Sequence, residues 1–118
     1  MYSFRLAEDE IILKKDLANL QCEDNHLAGA FYLTTKRVVF IGYLVDATQK
    51  FMEEAIFSGI KEIRPEKTFG FIPNIIRIVK SDGGEIKILI KKRNEWLNEI
   101  QAQMGQLGYN EVVKQLTT

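Results

Sequence analysis

The sequence predicts a mainly β (α+β) domain, an antiparallel barrel or sandwich capped by one C-terminal helix, and three observations carry that expectation. Two stretches of alternating apolar and polar residues flank an Asp-Gly turn between Ile75 and Ile90, the pattern of a hairpin with one buried face. The aromatic and β-branched run Arg37 to Leu44 follows a similar run after a two-residue polar break. After Arg93 the apolar period lengthens to that of a helix. At 118 residues and 13.6 kDa the chain suffices for one core and is too short for two.

Taken in order, Glu10 to Asn19 reads as a strand, with Leu13, Lys15 and Leu17 on one face and Ile12, Lys14 and Asp16 on the other. The polar, acidic stretch Gln21 to His26 reads as a loop. Ala28 to Thr34 and Arg37 to Leu44 form a hairpin about Thr35-Lys36, and the second run is apolar enough to be buried on both faces or to need a cover. After the polar break Asp46 to Lys50, Phe51 to Phe57 and Ile60 to Pro65 read as two short strands bent at Gly59, with a short helix over 51–57 as the competing reading. Pro65 and Pro73 border Glu66 to Asn74, which reads as a loop.

In the hairpin that follows, Ile76 and Ile78 face inward with Ile86, Ile88 and Ile90, and Gly83 supplies the positive φ of the turn. Trp96, Leu97, Ile100, Met104 and Leu107 then recur at helical spacing, with Asn94 as expected N-cap and Gly108 as terminator. Asn110 is expected to cap a last short turn over 111–116. The reading is of one domain, 1–118, with its core at about 8–107 and a short extension over 108–118.

Sixteen basic side chains balance sixteen acidic ones. That balance removes the cationic surplus a nucleic-acid binder needs, so no nucleic-acid partner is expected. Residues 1–59 carry six bases against nine acids and residues 60–118 ten against seven, a mild asymmetry that complementary self-association would use. With one cysteine, no signal-peptide pattern and no apolar run longer than Val38 to Val45, the expectation is a cytoplasmic chain, peripheral at a membrane at most.

No chemistry is expected. His26 stands in an acidic loop near Cys22, Glu23 and Asp24 without the fixed spacing of a zinc site. Asp82-Gly83-Gly84 precedes a strand rather than the helix a phosphate cradle needs. Glu8-Asp9-Glu10 and Glu53-Glu54 read as solvated faces. No cofactor and no metal are implied.

The opening Glu10-Ile11-Ile12-Leu13, the segment Gly29-Ala30-Phe31-Tyr32-Leu33-Thr34-Thr35-Lys36-Arg37-Val38-Val39-Phe40, the Ile75…Asp82-Gly83…Ile88 hairpin and Arg93…Trp96-Leu97…Ile100 together resemble the GRAM and pleckstrin-homology-like families. The resemblance spans roughly residues 8–107, with 29–40 its most specific part. It implies a barrel with Leu33 and Phe40 inside and Trp96 plugging the open end. It also implies a non-enzymatic module that binds lipid headgroups or protein segments.

Two binding surfaces follow as expectations. The bases Lys14, Lys15, Lys36, Arg37, Lys91, Lys92 and Arg93 would meet anionic membrane lipid if they formed one patch, although Glu23 and Asp24 at the first loop repel a polyanionic headgroup. Alternatively Phe69, Phe71 and Ile72 in the proline-bounded loop, or an open strand edge, would take a protein partner or a second copy in a homodimer. Thr34 to Arg37 otherwise reads as a hairpin turn with exposed polar groups. Scattered cations beside an apolar groove favour the polypeptide.

Overall fold

Seven strands and one helix follow one another in the computed structural model, which describes residues 4–22, 25–44, 49–68, 70 and 72–114. The strands are β1 (Ile12–Cys22), β2 (Asn25–Thr34), β3 (Arg37–Leu44), β4 (Gln49–Ile56), β5 (Ile60–Thr68), β6 (Ile72–Lys80) and β7 (Glu85–Leu89), and the helix is α1 (Arg93–Gln106). A single 3₁₀ turn, Phe57–Gly59, makes the bend expected at Gly59. All seven strands belong to one antiparallel sheet in the order β4-β3-β2-β1-β7-β6-β5. The sheet is coiled into a half-barrel. At Gly29 the coil brings β3 so close that a Cβ would stand 2.1 Å from the Ile41 carbonyl oxygen.

The concave face holds the main core. Leu33, Phe40, Ile63, Ile76, Ile78, Ile86, Ile88 and Ile90 pack there with Trp96, Leu97, Ile100 and Met104 of α1. The helix, about 21 Å long at 1.5 Å per residue, closes the open end. Trp96 is fully buried, its ring centroid 4.8 Å from that of Phe31, while its indole N–H donates to Asp16 Oδ2 at 2.8 Å. Leu107, expected on the same stripe, is half exposed because α1 ends there, ahead of Gly108.

The convex face of β2 and β3 is buried too. Ala30, Tyr32, Val39 and Ile41 form a second cluster against Phe4, whose ring meets Tyr32 edge-on at 4.8 Å. The apolar run of β3 therefore has a core on one side and the N-terminal segment as cover on the other.

The Asp-Gly hairpin has its expected form. Gly83 takes φ +95°, its N–H donates to Lys80 O, and the Gly84 N–H donates to Asp82 Oδ1. Gly83→Ala is expected to cost about 1–2 kcal/mol, read by urea denaturation, because an L side chain disfavours that backbone.

Four local expectations are corrected. Gln21, Cys22, Asn25 and His26 belong to strands, so the first loop is shorter than read. Both prolines lie inside strands: Pro65 on β5, an edge strand whose outer side needs no donor there, and Pro73 before the last β6–β7 pair, Ile75 with Leu89. Asn94 is inside the helix, and the N-cap position is Lys92 in the left-handed region (φ 58°). In place of the turn expected over 111–116, Glu111 takes a left-handed φ of 67° and Val113 bridges Ile63 in parallel, through Ile63 N–H to Val112 O (2.9 Å) and Lys114 N–H to Ile63 O (2.8 Å).

Candidate functional site

Glu10, one of the acids read as solvated, is buried and central. Its Oε2 accepts from the Thr34 hydroxyl (2.6 Å) and from Arg37 Nε (2.8 Å), while its Oε1 accepts from the Ala7 N–H (2.9 Å) and Arg37 Nη2 (3.0 Å). Thr34 Oγ1 in turn accepts the N–H groups of Lys36 and Arg37, which fixes the β2–β3 turn. Arg37 also holds Glu54 (2.7 Å) and the Arg5 carbonyl (2.8 Å), and lies 5.1 Å over the Phe4 ring. Burial pushes the Glu10 carboxyl up, but the bonds from Arg37, Thr34 and Ala7 outweigh it and hold its pKa at about 2. Thr34 and Arg37 are thus structural rather than exposed turn groups: they fasten the N-terminal segment onto the convex face.

The other bases are mostly engaged. Lys36 pairs with Asp9 at 2.6 Å, and that bond lowers the Asp9 pKa. Lys14 reaches Glu99 of α1 at 2.9 Å and lies 5.4 Å from the Trp96 ring, so it helps dock the helix. Lys15 stands 5.5 Å over Tyr32. Arg93 is buried, with Nη1 donating to Glu66 O at 2.7 Å and Nε and Nη2 to Asn94 Oδ1; burial lowers its pKa.

Lys91 and Lys92 differ. Both are exposed and neither forms an ion pair among the described residues. They flank an open groove of about 720 Å³ whose walls include Leu17, Asn19, Ala28 and Leu89. The groove exists because β1 pairs with β7 only at Asn19 and Leu20 before the chain turns away into α1. From Lys14 to Ala18, β1 has β2 on one side and, among the described residues, no strand on the other. Leu17 lines the groove from the convex face with 75% of its surface exposed.

The seven predicted cations stand in different settings. Lys36 and Arg37 sit at the β2–β3 turn beside Asp9 and Glu10, whereas Lys91 and Lys92 form the turn into α1 at the groove. Phe69 and Phe71 lie outside the described residues, and Ile72 opens β6 with 39% of its surface exposed. Among the described residues no three His, Cys, Asp or Glu side chains are grouped to hold a metal ion. Among the same residues no helix is long and apolar enough to cross a membrane. A groove and an open strand edge were expected without residues named for them, yet Leu17 has the opposite strand parity to buried Ala18 and Leu20, which marks it as an outward leucine.

No protein-family model and no curated protein sequence matches the chain. Solved structures do match in fold. The C-terminal domain of an unknown protein from Leishmania infantum aligns with a TM-score of 0.69 at 17% identity, covering 80% of this chain and 84% of that one. The Vps36 N-terminal PH domain aligns at 0.67 and 11% identity over 87% and 85% of the two chains. The hSac2 domain from the human phosphoinositide phosphatase Sac2 aligns at 0.65 and 12% identity over 96% and 82%. The fold is pleckstrin-homology-like.

Proposed function

We propose that this pleckstrin-homology-like chain is a non-enzymatic, GRAM-like docking module that takes an extended polypeptide in the groove between β1 and β7. The observation that carries the reading is the lapse in sheet pairing beside Leu17, with Lys91 and Lys92 uncommitted at its rim. A strand with a free edge gives an extended chain main-chain hydrogen bonds, and the exposed leucine gives it an apolar contact. Two unpaired lysines favour acidic residues in that chain.

Anionic lipid is the weaker reading on magnitude. Each base near an anionic leaflet contributes about 1 kcal/mol, so Lys91 and Lys92 supply about 2 kcal/mol, and the remaining predicted bases are held by Glu10, Asp9, Glu99, Tyr32 or a carbonyl. GRAM likeness at residues 29–40 is compatible with either partner, since Thr34 and Arg37 serve the fold.

The test pairs two probes. Isotope-labelled protein is titrated with a synthetic octapeptide alternating valine and glutamate, and with its valine–lysine counterpart. Shifts at Leu17, Ala28 and Leu89 are expected with the acidic peptide alone, and the Lys91→Glu, Lys92→Glu double variant is expected to reverse the preference. Co-sedimentation with phosphatidylcholine vesicles is expected to be unchanged by added phosphatidylserine. Salt-sensitive recruitment to the anionic vesicles, or no shift with either peptide, would overturn the proposal.

A further inference from the structure

The sheet has two edges, and the chain treats them differently. β5 is protected three times over: Pro65 interrupts its donors, its register with β6 shifts at Ile60/Glu62 and again at Glu66/Thr68, and Val112 to Lys114 lie against it at Ile63. β4 has none of these. It pairs with β3 without a shift over all eight residues from Gln49 to Ile56, contains no proline, and has no strand on its outer side among the described residues.

The convex-face rungs run straight out to that edge. Leu17, Ala30, Ile41 and Met52 stand opposite one another across β1, β2, β3 and β4, and Met52 ends the rung 40% exposed. The neighbouring rung is Lys15, Tyr32, Val39 and Glu54. Charges at an edge ordinarily repel another strand, but on β4 Glu53 is held by Lys80 within the chain, and Lys50 and Glu54, on the face of Met52, are spaced to complement their own copy. A two-fold axis through Met52 in an antiparallel β4–β4 pair sets Lys50 against the partner's Glu54 and Glu54 against the partner's Lys50. Met52 then meets the partner's Met52, and the apolar rung continues without a break from one Leu17 to the other.

We propose that β4 is a self-recognition edge through which two copies of this chain pair antiparallel about Met52 into a continuous sheet. Glu54 is part of the arrangement within one copy as well: Arg37 holds its Oε2 at 2.7 Å while the side chain stays 42% exposed, open to the neighbour's Lys50. The groove proposed above lies at the other side of β1 and is independent of this contact.

Charge complementation tests it. On the face shared with Met52, Lys50→Glu sets acid against acid at both 50/54 positions and Glu54→Lys sets base against base, so each variant alone is expected to raise the dissociation constant of the dimer roughly tenfold or more in sedimentation equilibrium. Mixing the two variants is expected to restore a dimer containing one of each, because both 50/54 positions then set an acid against a base. Should Glu54→Lys fail to fold through loss of its bond to Arg37, cross-linking decides. Met52→Cys in a Cys22→Ser background is expected to form a disulfide dimer on mild oxidation, since opposed residues of antiparallel strands are about 4.5–5.5 Å apart at Cα. A cysteine at Lys61 on β5 is expected to stay reduced. A wild-type chain that is monomeric at hundreds of micromolar, a dimer indifferent to both reversals, or equal cross-linking at residues 52 and 61 would each overturn the proposal.

Discussion

Arg37→Met is expected to lower the unfolding free energy by about 3–5 kcal/mol, because it leaves the Glu10 carboxylate buried with no cation. The cost is that of an orphaned charge rather than of a lost surface bridge, whose removal is worth about 0–1 kcal/mol. The same group predicts an acid transition. Its folded-state pKa of about 2 lies below the ordinary value of 4.5, so its stabilisation is complete above the unfolded-state value and drains away as pH falls through that window toward 2. A shift of that size corresponds to roughly 3 kcal/mol between neutral and strongly acid solution. In Glu10→Gln that contribution is already absent at neutral pH, and the dependence of stability on pH below 4.5 is expected to flatten. Chemical denaturation at a series of pH values, followed by circular dichroism, reads both effects. A Glu10→Gln profile parallel to that of the wild type would assign the acid sensitivity elsewhere.

Trp96→Ala is expected to cost about 3–5 kcal/mol, a large share of the roughly 5–15 kcal/mol that holds a domain of this kind together. The side chain is fully buried between β1 and α1, against Phe31, with Asp16 on its N–H and Lys14 over its ring. Removing it opens a cavity at the mouth of the half-barrel that neither the sheet nor the helix can follow. Trp96→Phe keeps most of the volume and loses the hydrogen bond, so a loss of about 1–2 kcal/mol is expected. Far-ultraviolet circular dichroism in urea is the measurement, since this is the only tryptophan in the chain and its fluorescence goes with it. Equal stabilities for the two variants would mean that the helix is held mainly by its other contacts.

What was legible in the sequence was what local chemistry determines. The Ser81-Asp82-Gly83-Gly84 turn specifies its own backbone, so the β6–β7 hairpin and its inward isoleucines follow from a dozen residues. The period change at Arg93 likewise specifies the helix and its buried Trp96. The prolines were misread because a strand's tolerance of proline depends on what lies beyond its edge, which neighbouring residues do not encode. Glu10 was misread because its burial depends on Thr34 and Arg37, more than twenty positions away, and a charge beside two other charges looks like surface. Asn94 has the chemistry of a cap, but its carbonyl oxygen is taken by Arg93, one residue before it. The position of the groove was illegible for a related reason: it is made by the early departure of β7 from β1, and an ending shows in a sequence only as a boundary.

The tie between Val112–Lys114 and Ile63 bears on how the molecule is made. β5 leaves the ribosome about fifty residues ahead of the segment that seals it, and at roughly 5–20 residues per second that interval lasts several seconds. Throughout it, the nascent hairpin of β5 and β6 has an open flank that only its own proline and its shifted register guard. A stop codon or a cut just after α1 would make that temporary vulnerability permanent, leaving a product whose tendency to clump in the cell exceeds anything its lost contacts would account for.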